Sequence, residues 1–231
     1  MKSHTVFDAD MYSDQVLANP YPYYKKIRQL GPVVWLPKND IWILARHQQV
    51  KSALLNSEKF ASGKGVAVNT QANEATAGTT LCSDGHQHDV LRRFIIKPLM
   101  PKEIAQCTRL FESEAEQLIK SLIQKKTFDG VTECARHLPM TVVSKLVGLS
   151  EAGRANMLKW GSAGFNVQGV MNQRAKENLG IVQEFGAYAA ACCEAPDTHL
   201  KKGGWGERVV QGDRRGEIPA GMGPSVLLDY I

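Results

Sequence analysis

A long stripe of apolar residues at helical spacing constrains this 231-residue chain more than any other feature. It begins near Lys102 and recurs at steps of three and four residues, through Ile104, Cys107, Leu110, Phe111, Leu118 and Leu122. Such spacing places the apolar side chains on one side of an α-helix, which is then buried against another element. The stripe therefore predicts a long amphipathic helix from about Lys102, in a chain organised by helix packing.

Similar patterns on both sides of the stripe predict a mostly helical fold. Helical spacing recurs at 19–32, 48–56, 85–97, 138–148, 151–165 and 173–194. One region differs: VVWLPKNDIWILA has two β-rich runs around a turn, which predicts a hairpin of two strands. Small and polar residues predict loops over 61–85 and 201–221, and GPSVLLDYI is typical of the first turns of another helix. The predicted fold class is mainly α with a small β-hairpin, in one domain.

Composition narrows the class of protein. Hydrophobic residues make up 43% and charged residues 22%, which is typical of a globular protein. The net charge of +5 is spread along the chain, so we expect no nucleic-acid partner. No apolar run approaches the roughly 18 to 20 residues of a membrane helix, and the first residues do not resemble a signal peptide. We therefore expect no membrane association and a cytoplasmic location.

The segment HDVLRR contains the residues most suggestive of a binding site. His88 and Arg92 are four residues apart, so on a helix they lie on one face and can converge on a single anion. Arginine offers a planar fork of donors that suits a carboxylate. Arg93 and Lys97 are also four apart and form a separate, outward face. Taken alone, the segment is explained more simply as a solvated helix start whose basic side chains contact only water.

Three segments, in this order, resemble the amino-terminal half of a bacterial cytochrome P-450. NPYPYYKKIRQLGPVVWLPKNDIWILARHQQVKSALLN is similar to the family's first helix, first two strands and second helix. SDGHQHDVLRRFIIKPLMP is similar to its D-P-P-x-H-x-x-x-R-R segment, although Gly85 and His86 replace the prolines. FDGVTECARHLPMTVVSKLVGLSE resembles the approach to its fifth helix. More weakly, SGKGVAV, WGSAGFNVQGVMNQ and KKGGWGERVV resemble members that oxidise para-substituted aromatic carboxylic acids.

The resemblance implies a heme-dependent monooxygenase that inserts one oxygen atom from O₂ into a small organic substrate. It implies heme b as the cofactor, with His88 and Arg92 donating hydrogen bonds to a heme propionate. It implies a ferredoxin-type electron donor, supplied by its reductase, docking at Arg93 and Lys97. The long loop and the end of a later helix would supply the substrate pocket, through Val66, Ala67, Val68, Phe165 and Val167.

The resemblance also implies that part of the family's machinery lies elsewhere. The family's iron ligand is a cysteine in an F-x-x-G-x-x-x-C-x-G segment, and none of the five cysteines here has that context. We therefore expect residues 1–231 to form a single incomplete domain, truncated at the start of the long central helix. No catalytic residue and no metal ligand is expected within it, and alone it should be inactive. The alternative is a helical binding or regulatory protein that does not use heme.

Overall fold

The computed structural model describes residues 4–231, which are mainly helical. Within this range the helices are α1 (Asp14–Ala18), α2 (Tyr21–Leu30), α3 (His47–Leu54), α4 (Thr70–Ala75), α5 (Gly85–Ile96), α6 (Pro101–Gln106), α7 (Thr108–Lys125), α8 (His137–Val147), α9 (Glu151–Asn166), α10 (Gln173–Glu194), α11 (Pro196–His199), α12 (Trp205–Arg214) and α13 (Gly223–Leu228). A 3₁₀ turn, Lys97–Leu99, follows α5, and a π-helical segment, Gly130–Ala135, precedes α8. None of these helices is both long enough and apolar enough to cross a membrane.

The predicted hairpin is confirmed. Strands β1 (Val34–Leu36) and β2 (Ile41–Ile43) are antiparallel, with Val34 opposite Ile43 and Leu36 opposite Ile41. The hairpin packs with the first two helices around a small core of Met11, Val16, Ile27, Val34 and Leu36. Amphipathic α2 contributes to this core through Ile27, which is fully buried.

A second, larger core determines how α5 is oriented. It combines buried residues of α5, α8, α9, α10, α12 and α13. Helix α5 contributes Leu91, Phe94 and Ile95, which are almost completely buried. Because these three side chains share one side of the helix, its opposite side is turned away from the core. The predicted end of α5 and the predicted bounds of α9 and α10 are confirmed to within a residue or two.

The expectation of a loop over 201–221 is wrong, because α12 lies within it. Its glycines lower the helix propensity of this segment, so the local sequence does not predict a helix. Packing explains them: a Cβ at Gly212 would lie 2.5 Å from the Phe94 ring, and one at Gly206 would lie 3.0 Å from the Val147 carbonyl oxygen. Val209 and Val210 are buried at the same contact. Tertiary contact thus stabilises a helix that its own sequence disfavours.

Two further expectations need correction. The predicted loop over 61–85 contains the short helix α4, whose N-cap Asn69 accepts a hydrogen bond from the Ala72 N–H at 2.8 Å. The predicted long helix from Lys102 is divided into α6 and α7, because the chain turns at Cys107, where the backbone N–H bonds to the Ile104 carbonyl oxygen at 2.9 Å. The apolar stripe is buried mainly in its second part, at Leu118 and Leu122.

Candidate functional site

His88 and Arg92 lie in one groove beside α5, at the edge of the larger core, since the core residues Ile95 and Tyr230 also line it. The groove has a volume of about 300 Å³ and is lined by Thr80, Leu81, His88, Arg92, Ile95, Leu99, Asp229 and Tyr230. His88 also lines a neighbouring cavity of about 660 Å³. The structure therefore brings the two side chains together as their spacing predicts, and we call this side of α5 the inner face.

The inner face offers positive charge that the rest of the described chain leaves largely uncompensated. Arg92 takes part in none of the ion pairs formed within residues 4–231. One acid, Asp229, lines the same groove. Removal of water by the surrounding protein raises the pKa of the Asp229 carboxyl, while Thr80 and Arg92 oppose that shift. An arginine and a histidine at the mouth of a groove can bind an anionic group such as a carboxylate.

Sequence reasoning missed two residues of this groove. Asp229 is placed there by the end of α13, where the Tyr230 hydroxyl donates a hydrogen bond to the Ile95 carbonyl oxygen at 2.9 Å. Thr80 is placed there by the turns before α5, and its buried hydroxyl forms no hydrogen bond of acceptable length and angle, with the Asp229 carboxyl as its neighbouring acceptor. Neither residue belongs to a motif in the sequence: Thr80 reaches the groove through the turns before α5, and Asp229 through the packing of the distant helix α13.

Asp84 connects the start of α5 to the loop before it. The residue occupies the N-cap position of α5, but its carboxylate does not cap the helix. Instead it accepts hydrogen bonds from the backbone N–H groups of Ser62 at 3.0 Å and Gly63 at 2.6 Å. These bonds are the main reason that the pKa of the Asp84 carboxyl lies below its usual value. Residues 62–63 are therefore held against the beginning of the inner face.

Two asparagines hold the rest of this loop, which contains three of the predicted substrate residues. The Asn73 side chain accepts from the Ala67 N–H at 2.8 Å and donates to the Ala67 carbonyl at 3.0 Å. The Asn69 amide donates to the carbonyl oxygens of Val167 and Gly169, both at 2.6 Å. The loop is thereby fixed both to α4 and to the chain that follows α9.

The predicted substrate residues are only partly brought together. The Val68 N–H donates to the Gln168 carbonyl oxygen at 2.8 Å, which places Val68 beside the buried Val167. Ala67 is half-buried, whereas Val66 is 45% exposed and Phe165 is 78% exposed. The loop and the end of α9 are thus neighbours, and their role in substrate binding stays a prediction.

Arg93 and Lys97 lie together on a different side of α5, which we call the outer face. They line a depression of about 370 Å³ with Val90, Phe94 and Glu217. The Arg93 side chain donates from Nε to the Asp89 carbonyl oxygen at 3.0 Å. Lys97 Nζ lies 3.5 Å from Glu217 Oε2, and Arg215 also pairs with Glu217. Charge on this face is therefore partly neutralised within the chain.

Comparison with known proteins places this architecture in a family. The family model described as Cytochrome P450 matches residues 14–150. A cytochrome P450 from Rhodopseudomonas palustris, CYP199A2, is 27% identical over 226 residues, covering 96% of this chain and 54% of that protein. Putative cytochrome P450 123 from Mycobacterium tuberculosis is 27% identical over 154 residues, 65% of this chain and 37% of that protein. The chain therefore spans about half, or less, of the length of these relatives.

Solved structures show the same fold at lower sequence identity. CalO2 superposes with a TM-score of 0.71 at 18% identity, covering 97% of this chain and 58% of that chain. The Mycobacterium marinum cytochrome P450 CYP268A2, solved with pseudoionone, gives 0.71 at 19% identity and covers 100% of this chain and 60% of that chain. Since the family model matches more than half of the 231 residues, the chain belongs to the cytochrome P450 family.

Proposed function

We propose that this chain is the heme-anchoring, amino-terminal part of a monooxygenase that inserts one oxygen atom from O₂ into a small organic substrate. Cytochromes P450 use heme as their cofactor. The observation that carries the proposal is the shared groove of His88 and Arg92, where Arg92 has no ion pair within residues 4–231. Family membership argues against the alternative of a heme-free helical binding protein.

The chain's own part in this function is to bind and orient the cofactor through its carboxylates. Arg92 supplies parallel N–H donors and His88 an imidazole N–H, so both hydrogen-bond to a propionate oxygen with assistance from charge. Leu91, Phe94 and Ile95 fix the helix that carries them, since these side chains are buried in the larger core. Heme, when bound, supplies the iron centre that activates O₂.

The substrate would bind near the loop that Asn69, Asn73 and Asp84 hold in place. We propose Val66, Ala67, Val68, Phe165 and Val167 as its apolar contacts. The hydrogen bond from Val68 to Gln168 supports this grouping, because it joins the loop to the end of α9. Small-molecule sites are lined mainly by apolar side chains with a few polar groups that fix orientation. An aromatic carboxylic acid is the substrate class that we favour.

Electrons would arrive at the outer face. Proteins of this family generally take electrons from redox partners. We propose that a ferredoxin-type donor, supplied by its reductase, docks at Arg93 and Lys97. The exposure of both side chains beside an open depression supports that assignment. An acidic partner would compete with Glu217 for Lys97.

We further propose that none of the cysteines in this chain ligates the iron. Ligation requires a thiolate, and burial raises the pKa of the Cys192 and Cys193 thiols to about 11, which disfavours that form in the ligand-free chain. Cys82 is almost completely buried. The ligand would then belong to a segment outside residues 1–231.

Titration with hemin tests the anchoring role. We expect saturable binding by the chain, followed by the Soret absorbance, and at least about tenfold weaker binding by the double variant His88→Ala/Arg92→Ala. Circular dichroism should show equal helix content in both proteins. Binding that does not saturate, or that the double variant retains in full, would contradict the proposal.

The CO complex of the reduced, heme-loaded chain tests the assignment of the cysteines. We expect it to lack the red-shifted Soret band of a thiolate-ligated heme. Appearance of that band would mean that one of the five cysteines does ligate iron, and Cys→Ser variants would identify it.

A further inference from the structure

The Thr80 hydroxyl is an unexplained polar group. Among the buried side-chain oxygen and nitrogen atoms of residues 4–231, only this hydroxyl forms no hydrogen bond of acceptable length and angle, although the Asp229 carboxyl lies close enough to accept from it. Buried polar groups in folded proteins are nearly always hydrogen-bonded, since burial without a partner is unfavourable. An exception of this kind calls for a ligand or a functional reason.

The neighbouring hydroxyls show that the chain satisfies such groups where it has no other use for them. Thr76 and Thr79 donate to the carbonyl oxygens of Ala72 and Thr76, both at 2.8 Å. Ser83 donates to the carbonyl oxygen of Thr80 at 3.2 Å. The hydroxyl that is left without a partner is therefore an exception among its close neighbours.

Thr80 lines the same groove as His88 and Arg92. It also lines the neighbouring cavity, which it shares with His88. A hydroxyl, an imidazole and a guanidinium can all donate to one carboxylate, which has two oxygens and about four acceptor positions. The position of Thr80 thus supplies a donor where the two basic side chains already favour an anion.

Asp229 is the group in this groove that would oppose an incoming anion. Its carboxyl lies near the Thr80 hydroxyl, which can donate to it, and near the charge of Arg92, and both lower the pKa that burial raises. Asp229 is therefore a competitor for both donors. Its position is fixed by the adjacent Tyr230, whose hydroxyl donates to the Ile95 carbonyl oxygen at 2.9 Å. A ligand carboxylate that binds Arg92 is therefore placed next to the Asp229 carboxyl, and two negative charges there repel each other.

We propose that the Thr80 hydroxyl is a third hydrogen-bond donor, with His88 and Arg92, to a carboxylate of the bound ligand, and that Asp229 competes with this carboxylate for Arg92. The inference rests on the proposed heme function, and it identifies the carboxylate as a heme propionate.

Thr80→Val tests the hydroxyl, because valine keeps the shape of threonine and removes only the donor. We expect this variant to bind hemin about tenfold more weakly, and Thr80→Ser to bind like the wild type. The thermal stability of the ligand-free chain should not fall in Thr80→Val, since an unsatisfied buried hydroxyl is replaced by an apolar group. A purely structural role for Thr80 would instead lower that stability and leave the affinity unchanged.

Asp229→Asn and an esterified ligand test the rest of the inference. We expect Asp229→Asn to bind hemin several-fold more tightly, because a competing negative charge is removed. With heme dimethyl ester, which has no free carboxylate, the effects of Thr80→Val and Asp229→Asn should both disappear.

Two results separate this inference from the proposed function. If His88→Ala/Arg92→Ala weakens hemin binding but Thr80→Val does not, or if Thr80→Val weakens hemin and its ester equally, the role of Thr80 is wrong and heme anchoring stands. If the wild type shows no saturable binding, both proposals fail together.

Discussion

The inner and outer faces of α5 carry similar residues in different electrostatic surroundings. On the outer face, Arg93 donates to the Asp89 carbonyl oxygen, and Lys97 pairs with Glu217 and lies 5.4 Å above the Phe94 ring. On the inner face, Arg92 forms no ion pair within residues 4–231 and shares its groove with Asp229. The two faces therefore differ in the groups that surround their basic side chains.

This comparison shows how adjacent arginines acquire different roles. Arg92 and Arg93 have the same charge and belong to the same helix, so their own chemistry does not distinguish them. Their surroundings do: Arg92 shares a groove with His88 and Asp229, whereas Arg93 donates to the Asp89 carbonyl oxygen of its own helix. Beside Arg93, Lys97 pairs with Glu217, which is 120 residues away along the chain. Arg92 can therefore donate to an anion that enters its groove, whereas an acidic partner that binds Lys97 must first displace Glu217.

Substitution of the two adjacent arginines should give the largest contrast. We expect Arg92→Gln to weaken hemin binding by roughly 10- to 100-fold, since hydrogen bonds to charged groups contribute about 1.5–3 kcal/mol. Arg93→Gln, the matched control, should change the affinity by less than about twofold, because its side chain points away from the groove. If Arg92→Gln and Arg93→Gln weaken hemin binding equally in a Soret titration, the loss comes from net charge alone and the two faces do not differ in heme binding.

Removal of the Asp84 carboxylate should have a smaller effect, on the protease resistance of the loop that Asp84 holds at the start of α5. Asp84→Ala deletes the acceptor of the Ser62 and Gly63 N–H groups, so residues 62–63 should detach more readily. We expect several-fold faster tryptic cleavage after Lys64, since each hydrogen bond contributes about 0.5–1.5 kcal/mol net. Asp89→Ala removes a carboxylate from the same helix and should leave cleavage unchanged. If both variants are cleaved at the wild-type rate, Asp84 does not hold the loop.

The smallest effect is expected on the outer face. Glu217→Gln frees Lys97, so an acidic ferredoxin-type donor should bind roughly two- to fivefold more tightly at low salt, and Lys97→Met should bind it more weakly. The difference should shrink above about 0.1 M salt, where charges are screened beyond about 10 Å. Isothermal titration calorimetry measures both affinities. Tighter binding by Lys97→Met would place the docking surface elsewhere.

Much of the fold could be predicted from local sequence. Helical periodicity predicted α2, α3, α5, α8, α9 and α10, and β-rich runs around a turn predicted the hairpin. Local residues also form the helix ends here: Ser150 caps α9 by accepting from the Gly153 N–H, and Gly148, with a left-handed backbone, ends α8. Where packing overrides propensity, prediction failed, as at α12 with its glycines pressed against Phe94 and Val147.

The sequence by itself determined that His88 and Arg92 share one side of a helix, because a spacing of four residues fixes their relation through the helical repeat. It did not determine that Thr80 would lie beside them with an unpartnered hydroxyl, that Asp229 would face Arg92, or that Glu217 would pair with Lys97. The last two relations join segments that are far apart in the chain, and the first depends on the turns between Thr80 and α5. Only the packing of α5 against the larger core brings them within reach of one another, and that packing decides which charges are paired and which are left for a ligand.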